Sequence, residues 1–192
     1  MKKKVLIFLF DGFADWEIAY LTPEINKNKE FELIYFSKDG QPVSSMGGLT
    51  ILPNTSLKEV DTKEVDMLIL PGGDAWEKDT NTEIEPIVKA LFSSGKGIAA
   101  ICAATTYLGK IGILNHLKHT SNDLEYLKGI APQYTGEEKY IHSLAVSDKH
   151  IITASGLGAI EFTKEIFDKL EFFDSATIEK WFQVFKNGIF TE

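Results

Sequence analysis

Gly97-Ile98-Ala99-Ala100-Ile101-Cys102-Ala103-Ala104-Thr105-Thr106 is the stretch that decides the fold. Gly97–Ile101 is a short apolar run bounded by Gly, the pattern of a fully buried strand. Tyr107-Leu108-Gly109-Lys110-Ile111-Gly112 continues as a helical pattern. A buried strand therefore runs into a helix, and the chain's only cysteine sits at the bend. Small residues on both sides let backbone and side chains crowd there, which is the layout of a nucleophile elbow. A thiol at a helix N-terminus also faces the positive end of the helix dipole, which predicts a thiolate-favouring environment.

Outward from the elbow the chain alternates strands and helices. Val5–Phe10, Phe31–Phe36 and Met67–Leu70 read as buried strands, and Val43–Leu52, with Gly47-Gly48 at its centre, reads as a hairpin. Asp15–Ile25 reads as a helix that Pro23 kinks or breaks. Ile84–Phe92 is an amphipathic helix, and Ser121 or Asn122 caps a short helix running through Leu127. Leu144–Val146 and Ile151–Ala154 read as strands, Ala159–Leu170 and Ala176–Phe185 as helices. Such alternation predicts an α/β domain spanning residues 1–192, with a mostly parallel central sheet covered by helices on both faces. Sites in such folds lie beyond the carboxyl ends of the strands. That singles out three loops: Asp11–Glu17, Pro71–Trp76 and Cys102–Thr106.

Composition narrows the function. The formal net charge of −8 argues against nucleic acid or an anionic membrane as partner. All 20 basic residues are lysine, so bidentate guanidinium recognition is unavailable. One cysteine excludes an intramolecular disulfide and a cysteine cluster for zinc, and fits a reducing compartment. The scattered histidines have no metal-ligand spacing, so neither a metal nor another cofactor is expected. Lys2-Lys3-Lys4 before Val5–Phe10 imitates a signal sequence, but the apolar run is too short for one. No run reaches membrane-spanning length, and a cytoplasmic location is the default expectation.

Three motifs in this order, Phe10-Asp11-Gly12-Phe13-Ala14-Asp15-Trp16-Glu17, Leu70-Pro71-Gly72-Gly73 and Ala100-Ile101-Cys102-Ala103-Ala104, resemble the DJ-1/PfpI family within the class I glutamine-amidotransferase-like superfamily. Ala154-Ser155-Gly156-Leu157-Gly158 is a weaker fourth. The resemblance implies a flavodoxin-like three-layer sandwich assembled as a homodimer or larger homo-oligomer. It implies Cys102 as nucleophile, Glu17 as the carboxyl group facing it, and the backbone N–H groups of Gly73 and Ala103 as oxyanion donors. Buried without a cationic partner, Glu17 should hold its proton unusually tightly.

Departures from the pattern are equally informative. Ala103 stands where PfpI-type members carry histidine, Asn122 stands where others place histidine or tyrosine, and Ser155 stands where several carry arginine. Glutaminase activity is not expected. His119 is the one histidine in a segment expected to pass Cys102, and is weighed as a relay base against an ordinary strand position. Gly72 and Trp76 complete the expected pocket. Two functions compete: a cysteine-dependent hydrolase or glyoxalase- or deglycase-type enzyme on a small-molecule or peptide substrate, and a redox-responsive protein whose Cys102 is oxidised.

Overall fold

In the computed structural model, which describes residues 2–190, the chain forms a seven-stranded sheet flanked by helices, an α/β sandwich. In chain order the elements are β1 (Lys3–Phe8), α1 (Leu21–Lys27), β2 (Phe31–Ser37), β3 (Val43–Ser44), β4 (Thr50–Ile51), β5 (Thr55–Ser56), β6 (Val65–Leu70), α2 (Glu85–Ser93), β7 (Gly97–Ile101), α3 (Ala104–Lys110), α4 (Leu124–Ile130), β8 (Ala145–Asp148), β9 (Ile151–Ala154), α5 (Ala159–Leu170) and α6 (Ser175–Asn187). The sheet order is β5-β2-β1-β6-β7-β9-β8. Every pairing in it is parallel except β8 with β9.

β7 is buried at every position and lies between β6 and β9, which explains its uninterrupted apolar run. The chain first builds outward from β1 through β2 to β5, then returns to the other side of β1 as β6, β7 and β9. The order therefore reverses between β1 and β6, and the crevice beyond their carboxyl ends is where an open α/β sheet presents its site. The loops from Phe10 to Glu17 and from Pro71 to Trp76 both emerge there.

Several boundaries differ from the sequence reading. Asp15–Ile25 is not one helix: Asp15–Glu17 makes a 3-10 turn, and α1 starts at Leu21. Pro23 falls in the first turn of α1, where its missing N–H has no intrahelical partner to lose, so it neither kinks nor ends the helix. The cap of α4 is Asp123, whose carboxylate accepts from the N–H groups of Glu125 and Tyr126; Ser121 and Asn122 are used elsewhere. β8 begins at Ala145 and turns into β9 through Lys149 in the left-handed region. The hairpin over residues 43–52 is present as β3–β4.

Core packing sets the scale of stability. Leu68, in the middle of β6, is fully buried, whereas Leu52 is 71% exposed. Leu68→Ala is expected to lose about 2–5 kcal/mol in urea unfolding, and Leu52→Ala under about 0.5 kcal/mol.

Candidate functional site

The elbow forms as the sequence predicts. Cys102 adopts φ 59°, a left-handed conformation uncommon for a residue with a side chain. It is held there from both sides: its N–H donates to the Ala154 carbonyl at 2.9 Å, and its carbonyl accepts from the Thr105 N–H and, at 2.6 Å, from the Thr105 hydroxyl. Strain of this kind is stored, typically about 1–3 kcal/mol, where the surrounding structure over-determines it. Thr105 also bonds the Ser121 hydroxyl at 2.6 Å, tying the elbow to the segment that carries Asn122.

Glu17 reaches the thiol from the 3-10 turn after β1. It is fully buried; its Oε2 accepts from the Gly72 N–H at 2.6 Å, its Oε1 has no hydrogen-bond partner among the described residues, and the carboxyl faces the Cys102 thiol. Burial pushes the Glu17 carboxyl up to about 7, only partly offset by the bonds from Gly72 and Cys102. Burial, followed by the negative charge of Glu17, pushes the Cys102 thiol up to about 11. Asn122 and the Ala103 N–H pull it back by less. The thiolate bias expected from the helix start is thus outweighed while Glu17 is ionised. The two groups titrate as one unit. A single negative charge is stable in this crevice, carried by sulfur when Glu17 holds the proton and by Glu17 when sulfur holds it.

Two glycines make the approach possible. A Cβ on Gly72 would lie 2.7 Å from the Cys102 Cβ and 2.8 Å from Glu17 Oε2. A Cβ on Gly156 would lie 3.0 Å from Sγ and 3.3 Å from Glu17 Oε1. Gly156 thus walls the site, a role that nothing in the local pattern Ala154-Ser155-Gly156-Leu157-Gly158 marks. Gly73 has φ 150°, and a Cβ there would strike the Gly12 carbonyl at 2.7 Å. Its N–H donates to no protein group among the described residues, and the Ala103 N–H reaches the sulfur.

Asn122 occupies the position anticipated beside the thiol. Its Nδ2 donates to Sγ at 3.3 Å, and its Oδ1 accepts from the Gly156 N–H at 2.9 Å. Asn122 and Ser155 also line a cavity of about 340 Å³ together with Tyr140, His142 and Leu157; Cys102 itself is not part of its wall. Tyr126, which the sequence did not signal, donates its hydroxyl to Glu77 Oε1 at 2.6 Å, and burial, then Glu77, then the charge of Cys102 raise its pKa.

Two expected pocket residues belong elsewhere. His119 is buried with Nδ1 against the Leu117 carbonyl at 2.7 Å and Nε2 against the Tyr134 hydroxyl at 2.6 Å, so both nitrogens are occupied and neither serves the thiol. Trp76 is a core residue: its indole N–H donates to the Pro71 carbonyl, and its ring packs against Phe8, Phe10 and Tyr107. It holds the Gly72–Gly73 loop from beneath and does not wall the pocket. His150 is half-buried against Phe92. No group of acidic, histidine or cysteine side chains among the described residues could hold a metal ion. No helix among them is long and apolar enough to cross a membrane.

The raised Glu17 value predicts how stability depends on pH. Because the folded state holds this proton more tightly than the ordinary 4.5, its contribution is complete below about 4.5 and is lost as pH rises through about 7. Glu17→Gln keeps an acceptor for Gly72 and carries no charge. Its stability relative to the original protein should therefore improve from acid to alkaline pH by up to about 3 kcal/mol. Urea unfolding at both ends of that window checks this, and a pH-independent difference would contradict it.

Comparison with known proteins places this geometry. The DJ-1/PfpI family model matches residues 3–169. "Uncharacterized protease YoaZ" from Bacillus subtilis is 37% identical over 191 residues, covering 96% of this chain and 91% of the relative. "Deglycase TK1284" from Thermococcus kodakarensis is 32% identical over 150 residues, covering 77% and 90%. The crystal structure of a ThiJ/PfpI family protein from Bacillus anthracis superposes with a TM-score of 0.94 at 35% identity, covering 98% of this chain and 92% of that one. The chain belongs to the DJ-1/PfpI family.

Proposed function

We propose that the protein is a cysteine-dependent enzyme of aldehyde-modifying type, glyoxalase- or deglycase-like, with Cys102 as nucleophile and Glu17 as its proton partner. The observation that carries this reading is the buried, isolated contact between these two groups. In the first step the Cys102 sulfur bonds to the aldehyde carbon, and the carbonyl π electrons move to oxygen. Glu17 delivers the proton to that oxygen, giving a neutral hemithioacetal. The N–H groups of Gly73 and Ala103 are the donors for the developing negative charge. Glu17, now ionised, is left as the base for a following proton removal.

A relay histidine is not required for these steps, which suits a site where His119 is committed to Leu117 and Tyr134. Peptide-bond hydrolysis fits less well, because the amine leaving group must be protonated and His119, the one histidine expected to pass the thiol, is committed to Leu117 and Tyr134. Oxidation of Cys102 is a second reading, favoured by the Asn122 amide and Ala103 N–H, which already point at sulfur and would bind sulfinate oxygens.

With methylglyoxal as substrate, Cys102→Ser should lose turnover by about 10³-fold or more, and Glu17→Gln by about 10²–10⁴-fold. Retained turnover in Cys102→Ser would overturn the enzymatic reading. Peroxide-driven mass gain confined to Cys102, with no turnover on any aldehyde, would favour the redox reading.

The further reading is a cytoplasmic homodimer or larger assembly. Its support is the unpaired thiol and the exposed apolar side chains of Trp16, Met46 and Leu49, where the β3–β4 hairpin meets the Asp15–Glu17 turn. Sedimentation of a monomer at working enzyme concentrations would contradict the assembly.

A further inference from the structure

The Gly72 N–H holds the head of Glu17, but the turn that carries Glu17 is anchored elsewhere. Residues 15–17 form one 3-10 turn, opened by Ala14 without a side-chain cap. A turn that short does not hold its own shape. Its far end is fixed by Ile18, which is buried in the core. Its near end is fixed by Asp15. One carboxylate oxygen, Oδ1, accepts from the Trp16 N–H at 3.1 Å, and the other, Oδ2, accepts from the Ser45 hydroxyl at 2.6 Å. Asp15 thus joins the backbone leading to Glu17 to the β3–β4 hairpin. Ser45 is a firm post: it is buried, its N–H donates to the Leu49 carbonyl at 2.8 Å, and its hydroxyl oxygen accepts from the Leu49 N–H at 3.0 Å. The Phe13 carbonyl accepts from the Met46 N–H at 2.9 Å, which brings the hairpin against the chain just before Asp15. Gly47 lets the hairpin come this close, since a Cβ there would overlap Asp15 Oδ2.

An anchor is needed because the Glu17 carboxyl does not rest easily beside sulfur. It is fully buried with Oε1 unpaired among the described residues, so it gains hydration by turning outward. The Asp15 oxygens bond Trp16 and Ser45, not Glu17 or Cys102, so Asp15 acts through the turn alone. We propose that Asp15 is a positioning residue for the Glu17–Cys102 pair, its bond to Ser45 holding the turn so that Glu17 stays against sulfur. The proposal rests on the reading of these two groups as the reacting pair. Without the bond, the Glu17 carboxyl swings toward water and the thiol titrates alone.

The test is the pH profile of Cys102 alkylation by iodoacetamide in the original protein, Asp15→Ala, Ser45→Ala and Asp15→Asn. The original should show an inflection near pH 7, where the pair first ionises. Asp15→Ala and Ser45→Ala should each reduce its amplitude by about half or more, the loss expected when a docked state favoured about tenfold becomes evenly populated. The double variant should lose no more than either single one, because both remove the same bond. Asp15→Asn keeps an oxygen for the Ser45 hydroxyl and should retain most of the inflection. Asp174→Ala is the control: it removes the α6 cap, whose carboxylate bonds Thr177, and should lower the urea midpoint while leaving the inflection whole. An inflection left intact by Asp15→Ala and Ser45→Ala overturns the proposal while the pair stands, as does an equal loss in Asp174→Ala. Absence of the inflection from the original protein sinks the pair and the proposal with it. Alkylation is read without turnover, so a protein that turns over no aldehyde yet shows the expected series loses the enzymatic reading and keeps the role of Asp15.

Discussion

The site depends on one contact: a buried carboxyl and a thiol that together hold one negative charge. Neither group is stable there as a second anion, because burial penalises charge and each anion repels the other. Glu17 is pinned by the Gly72 N–H, and Cys102 is pinned by Ala154 and Thr105 through its strained backbone. What remains free is the proton. A proton held between carboxyl and sulfur leaves one of the two groups charged and the other neutral.

The rest of the fold can be understood as support for that contact. The strand order reverses between the parallel neighbours β1 and β6, which opens a crevice at their carboxyl ends. Gly72 and Gly156 let two loops close on sulfur to distances no side chain would permit. Trp76 fixes the Gly72–Gly73 loop from the core side, and Asn122 joins the sulfur to the Gly156 loop through both ends of its amide. His119 serves the same scaffold, its ring spanning Leu117 and Tyr134.

Much of this was legible in the sequence because its causes are local. The buried run Gly97–Ile101 ending in Cys102 specifies a strand and an elbow without reference to anything distant. The pairing with Glu17 was legible only through the family's ordered motifs, since 85 positions separate the two residues. The misreadings share a physical reason. Periodicity cannot show that Ile18–Tyr20 interrupt a helix, and an aromatic beside a glycine loop reads alike whether it faces pocket or core, as Trp76 does. A helix-end dipole argument for the thiol omits desolvation, which here is the larger effect. The Tyr126–Glu77 pair left no trace, because nothing in its local sequence points toward Cys102.

The most direct test of the central claim is the pH dependence of Cys102 alkylation by a neutral reagent, in the original protein and in Glu17→Gln. Sharing of one proton predicts an inflection near pH 7, where the pair first ionises, and a further rise toward about 11. Glu17→Gln should lack the inflection near 7 and titrate as a single thiol. Superimposable curves from the two proteins would contradict the account.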